Sequence, residues 1–120
     1  MDVPKSKYYD LEDRTFKFAQ GVRVFVAQLP RGIANQEDIR QLIKSSGSVG
    51  ANYIEANEAL SKKDFLMRIK ISRKEAKESS YWLCLINTGN SAAVDSERQA
   101  LIKEARELTN IFGAILLKSQ

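Results

Sequence analysis

The sequence predicts an all-α fold, an up-down-up-down antiparallel bundle of four helices. Three observations lead there. Apolar residues return every three or four positions through most of the 120 residues. Loop formers interrupt that pattern at Pro30 to Gly32, near Ser61, and from Asn87 to Ser91. No segment alternates apolar and polar with the period of two that marks a half-buried strand. Short connections make sequential helices antiparallel neighbours.

The first helix is expected to start at Asp10 as N-cap, with Glu12 and Asp13 in its first turn, where the helix dipole favours acids. Thr15, Phe18, Ala19, Val22, Phe25, Val26 and Leu29 form its apolar face, and Pro30 with Gly32 ends it. Asn35 is the expected cap of the second helix, with Glu37 and Asp38 just inside. Its apolar face runs Ile39, Leu42, Ile43, Ser46, Val49, Gly50, Tyr53, Ile54 and Leu60. Gly47 and Gly50 read as permitting close helix packing, since neither a preceding strand nor a Gly-Lys-Ser run supports a phosphate loop. Ser61 followed by Asp64 marks the start of the third helix. There Phe65, Ile69, Ser72, Ala76, Ser79, Leu83 and Ile86 repeat in alternating steps of four and three, a heptad seam. Asp95 or Ser96 is expected to cap the fourth helix, whose seam is Leu101, Ala105, Leu108, Phe112 and Ile115. Residues 1–9 read as a polar tail and 10–120 as one domain.

Composition narrows the function. The chain has no histidine, which removes the commonest general base and metal ligand. Its lone Cys84 cannot form an intrachain disulfide, which suits a reducing cytoplasm, and without a histidine to activate it reads as a small packing residue. Glu55 with Glu58, and Glu104 with Glu107, stand one turn apart, but di-iron bundles pair such acids with histidines, so these read as surface acids. No catalytic residue, metal site or cofactor is expected. Nor is a signal peptide expected in the polar first ten residues, or a membrane span of roughly 20 apolar residues.

The helix faces not needed for a core carry the functional expectations. Gln41, Ser45, Ser48, Asn52, Ala56 and Ala59 form a second, uncharged stripe on helix two, roughly opposite its apolar face. Small residues admit another helix, so this stripe reads either as a contact with a second subunit or as a weakly charged surface. Phe16 and Val24, apolar but off the stripe of helix one, favour the contact. Asn57, within the apolar stripe, reads as a register-setting polar residue or a ligand holder. From Lys62 to Lys77 seven basic residues face two acidic ones, a formal +5 against +4 for the whole chain. Lys63, Lys70, Lys74, Lys77 and Tyr81 project along one side, with Arg73 nearby. They read either as a track for phosphates with an aromatic for a base, or as a solvated face.

The run from Ile43 to Ala56 places Ser45, Ser46 and Ser48 ahead of Asn52 and Glu55. Lys63-Asp64-Phe65 then opens a helix that continues Ile69-Lys70-Ile71-Ser72-Arg73-Lys74-Glu75-Ala76-Lys77-Glu78. Over about Asp10 to Ile115, order, spacing and helix lengths resemble the bacterial four-helix-bundle proteins encoded inside intervening sequences of large-subunit ribosomal RNA genes. The chain departs from that pattern at Ala56, where many members have glycine, and in its more basic third helix. The resemblance implies a homopentameric ring. It also implies kinship with the accessory protein of diversity-generating retroelements, a basic pentamer that partners a reverse transcriptase and nucleic acid. It carries no catalytic residues. The function expected is therefore a non-enzymatic homo-oligomer that binds RNA or DNA through Lys63, Lys70, Arg73, Lys74, Lys77 and Tyr81. The alternative is a scaffold for a partner protein.

Overall fold

The computed structural model describes residues 10–119. The tail expected over 1–9 lies outside the described residues. Four helices follow one another, α1 (Leu11–Val26), α2 (Ile33–Asn57), α3 (Lys62–Leu85) and α4 (Ala92–Lys118). Each packs on its two sequential or closing neighbours, α2 against α3 most extensively and α1 against α4 least, while the backbones of diagonal pairs stay apart. This is the four-helix bundle that the periodicity predicts, with antiparallel neighbours.

The core follows the predicted seams. Phe18, Val22 and Phe25 of α1, Leu42 and Val49 of α2, Ile69, Ala76 and Leu83 of α3, and Ala105, Leu108 and Phe112 of α4 are buried. Burying a side chain such as Phe25 contributes about 1.5–3 kcal/mol. Tyr53 of α2 reaches across to Phe112, ring centroids 5.8 Å apart. Val94, Ile102 and Ile111 of α4 are also buried. They widen its apolar arc beyond the single expected seam, because α4 contacts both α1 and α3.

Several helix ends differ from expectation. Asp10 is the N-cap of α1, but its side chain does not cap; its carbonyl accepts from Arg14 N at 2.8 Å. Helix α2 starts at Ile33, so Asn35 is not its cap. Asn35 is buried instead and serves as a clamp: Nδ2 donates to Pro30 O (2.9 Å) and Asn87 O (2.8 Å), and Oδ1 accepts from Asn87 N (3.0 Å). The amide ties the α1–α2 turn to the α3–α4 turn at one end of the bundle. Ser61 caps α3 as expected, accepting from Asp64 N at 3.1 Å. Helix α4 is capped by Ser91 through Val94 N at 3.2 Å, earlier than Asp95 or Ser96. Asp95 lies inside the first turn, paired with Arg98, whose Nη1 also donates to Ile86 O. The turn between α3 and α4 needs left-handed backbone at Gly89 (φ 73°) and Asn90 (φ 64°), residue types that adopt it at little cost.

Other corrections concern burial. Helix α2 ends at Asn57, leaving Leu60 fully exposed in the following turn. Ile54 is half exposed and Asn57 exposed, because the last turn of α2 directs Ala56, which is buried, toward the other helices. Asn57 therefore sets no core register. Cys84 is exposed rather than packed, since the α3 seam passes through Leu83 and Ile86 on the opposite side. Gly50 does bring helices together: a Cβ there would stand 2.8 Å from Thr15 Oγ1. At Gly47 a Cβ would meet only the Arg23 guanidinium at 3.9 Å.

Candidate nucleic-acid face and subunit contacts

The small-residue stripe of α2 is used inside the subunit. Ser45 and Ala56 are buried, and Ser45 Oγ lies 2.9 Å from Ser79 Oγ of α3. Asn52 Oδ1 accepts from Arg68 Nη1 at 3.1 Å. Ser72 Oγ of α3 donates to Val49 O at 2.9 Å. Ser48 and Ala59 are half-buried, and only Gln41 is exposed. The expectation that this stripe lies opposite the core is thereby corrected. Helix α2 sits between α1 and α3, so it buries two flanks, one bulky and one small. Periodicity alone sees the second flank as a free face.

Apolar surface lies elsewhere. Phe16 is 61% exposed and Val24 63% exposed on α1. Phe16, Ala19, Gln20 and Arg23 line a groove whose far wall is Gly47 of α2. The absence of a side chain at Gly47 keeps that groove open.

On α3 the lysines point outward. Lys63, Lys70, Lys74 and Lys77 are exposed on the side opposite the seam. Tyr81 is 60% exposed and stacks edge-on against Trp82, centroids 5.0 Å apart and planes at 80°. Arg68 does not join them: it is half-buried against Asn52, with Asp64 4.0 Å away. Arg73 is exposed but steps out of the row toward α4. Its side chain runs along Gly113, where a Cβ would stand 3.4 Å from Arg73 Nε. Arg73 lines a groove of about 420 Å³ with Thr109, Asn110, Gly113 and Ala114. Sequence reading had no signal for Gly113 or Asn110, because only the α3–α4 register brings them to Arg73.

The acids of α3 keep to the flank facing α2. Asp64 pairs with Arg68, and Glu75 lies near Lys44 with Glu78 beside it. Burial, and then the charge of Glu78, push the Glu75 carboxyl above its ordinary value, against the opposing charge of Lys74 and Lys44. Across α3 seven basic residues outweigh three acidic ones, a formal +4, equal to the charge of the entire chain.

On the far side of the bundle, Glu104 and Glu107 are drawn to one residue. Arg14 Nε donates to Glu104 Oε2 (2.7 Å), and its Nη2 reaches Glu104 Oε1 and Glu107 Oε1 (both 2.8 Å). The hydrogen bonds that Arg14 donates to Glu104 lead in raising its pKa further above the ordinary value. These acids tie α1 to α4. Among the described residues, no three His, Cys, Asp or Glu side chains gather as a metal site, and no helix is long and apolar enough to cross a membrane.

Comparison with known proteins follows the same lines. The profile of the 23S rRNA-intervening sequence protein family matches residues 8–114. No curated protein matches the chain. Among solved structures, a protein of unknown function from the S23 ribosomal protein family of Bacteroides thetaiotaomicron is similar, at 28% identity and a TM-score of 0.72. The alignment covers 88% of this chain and 96% of that one. With the family profile matched over residues 8–114 and the fold shared with that solved structure, the chain belongs to the 23S rRNA-intervening sequence protein family.

Proposed function

We propose that the chain is a non-enzymatic, homo-oligomeric accessory protein that binds RNA or DNA without reading sequence, through the outward face of α3. One observation carries this reading: Lys63, Lys70, Lys74 and Lys77 stand exposed on one side of the helix that holds the chain's whole net charge, while the acids of that helix lie toward α2. Phosphates attract such a row electrostatically, and each lysine that neutralises one releases counterions. Tyr81 at the end of the row offers a ring to an unstacked base. Repetition of the row around an oligomer multiplies weak contacts.

The test is binding of labelled RNA and DNA oligomers across a salt series. Log affinity should fall linearly with log salt, with a slope near −3 for about four neutralised phosphates on a single strand. Lys70→Glu/Lys74→Glu should bind more weakly and with a shallower slope. Absence of binding at low salt overturns the reading.

The subunit contact we assign to the Phe16 groove of α1 and α2, in place of the small-residue stripe. Phe16→Glu should lower the mass measured by light scattering from that of an oligomer, a ring of five by the family resemblance, to that of a smaller species. An unchanged mass counts against this contact. The same exposed Phe16 and Val24 favour a second reading, a scaffold that docks a partner protein. In that case charge reversal on α3 leaves partner capture intact.

A further inference from the structure

We infer that the groove between α3 and α4 is a phosphate-binding subsite, in which Arg73 and Asn110 hold the backbone of a nucleic-acid strand alongside the α3 lysines. This rests on the proposed nucleic-acid role and adds a second wall to it.

The arginines of the four helices sort into two groups. Arg14, Arg23, Arg40, Arg68 and Arg98 each have a partner within the chain. Arg73 and Arg106 have no hydrogen bond or ion pair with any described residue. Arg106, Asn110 and Gly113 stand at i, i+4 and i+7 of α4, one line along the helix. Arg73 lies against the last of these. Arg73 supplies the α3 side of the groove and Asn110 and Gly113 its α4 side, while Arg106 stands one turn before Asn110, outside the lining.

No carboxylate lines the groove; the acid nearest along α4, Glu107, shares a neighbouring pocket with Asn110 and is paired there with Arg14. On α4, Glu104 and Glu107 are held by Arg14 on the α1 side, Glu97 accepts from Gln28 of α1, and Asp95 pairs with Arg98 at the helix start. On α3 the acids face α2. This partition leaves the Arg73 guanidinium with no carboxylate in its groove, one helical turn from Lys70 and Lys77.

Geometry selects the ligand class. A guanidinium matches phosphate oxygens with two parallel N–H groups. Gly113 lets Arg73 lie flat against α4 rather than extend into water, so less side-chain freedom is lost on binding. The Asn110 amide adds a neutral donor beside it. With Arg73 the charged residue of the groove and Lys70 and Lys77 one turn to either side of it, the occupant that fits is a polyanion.

The experiment compares the full-length wild type with Arg73→Gln, Asn110→Asp, Lys70→Glu/Lys74→Glu and Arg40→Gln, using a fluorescently labelled single-stranded DNA oligomer in a salt series. Arg40→Gln makes the same change in charge on exposed α2 surface. All of these positions are exposed, and circular dichroism checks that each variant folds. Arg73→Gln and Asn110→Asp should each weaken binding about 5-fold, the effect of roughly 1 kcal/mol. Arg73→Gln should also lower the magnitude of the salt slope by about 0.7, one phosphate contact on a single strand. Arg40→Gln should leave both unchanged. If Arg73→Gln and Asn110→Asp behave like Arg40→Gln while the lysine variant loses binding, the groove is overturned and the α3 reading stands. If the wild type does not bind at low salt, that reading fails and the groove with it.

Discussion

Removing the Asn35 side chain should unfasten one end of the bundle. Asn35 is 6% exposed, and its amide makes three hydrogen bonds at 2.8–3.0 Å to Pro30 O, Asn87 O and Asn87 N. A neutral hydrogen bond contributes about 1 kcal/mol net, and a buried group left unsatisfied costs about 1–3 kcal/mol. The carbonyls lie near the surface and water recovers part of their loss. Asn35→Ala should therefore destabilise by about 2–3 kcal/mol, a fall in Tm of roughly 10 °C for a domain of this size. Asn35→Asp refines the test. It keeps an acceptor for Asn87 N but turns a carboxylate oxygen toward two carbonyls. Its deficit should grow as pH rises through the aspartate range, where Asn35→Ala shows no such trend. Thermal melts followed at 222 nm, at fixed protein concentration so that assembly does not shift the midpoint, measure both. A loss below about 0.5 kcal/mol for Asn35→Ala, the range of an ordinary surface substitution, would refute the clamp.

Three further predictions concern the packing and charge already described. Gly50→Ala should destabilise by about 1–2 kcal/mol, because its Cβ meets a Thr15 hydroxyl pinned by its bonds to Leu11 O and Glu12 O, and this outweighs the gain in helix propensity. Gly47→Ala, with open space around it, should stabilise by about 0.5–1 kcal/mol, and a denaturant titration of both variants measures the two effects. Glu75→Gln should raise stability at neutral pH and give no gain in acid. A carboxyl whose folded pKa lies above its unfolded value contributes stability below the unfolded pKa and loses it as pH rises through the folded one. Melts from pH 4 to 8 in which wild type and Glu75→Gln run parallel would contradict that assignment.

Much of the fold was legible because a helix buried on one side must repeat its apolar residues with its own period. The α3 seam and the exposed lysines opposite it are two readings of one pattern. Helix ends were harder. Asn35 is a capping residue by type, yet an amide serves equally as a bridge between turns, and the sequence holds no mark of which. Ser91 and Asp95 are both plausible caps four residues apart, and the choice depends on where the preceding turn releases the chain. The α2 stripe was misassigned because periodicity counts buried arcs but not neighbours. That Ser45 faces Ser79, and that Gly113 faces Arg73, depends on the relative height of two helices, which no single helix encodes.

The serines between α2 and α3 have a consequence for how many structures this chain can adopt. The α3 seam places Ser72, Ala76 and Ser79 between Phe65 and Ile69 on one side and Leu83 and Ile86 on the other. Displaced by one heptad in one direction, α3 would drive Leu83 and Ile86 into the narrow places now filled by Ala76 and Ser79. Displaced in the other, it would bring Phe65 and Ile69 to the places of Ser72 and Ala76. The first slip also sets Ile86 against the Ser45 hydroxyl that now meets Ser79, and the second sets Phe65 against Val49 O, to which Ser72 now donates. A heptad repeat is by nature ambiguous to translation, and here the narrow middle of the seam acts as a key that only one alignment of the hairpin accepts.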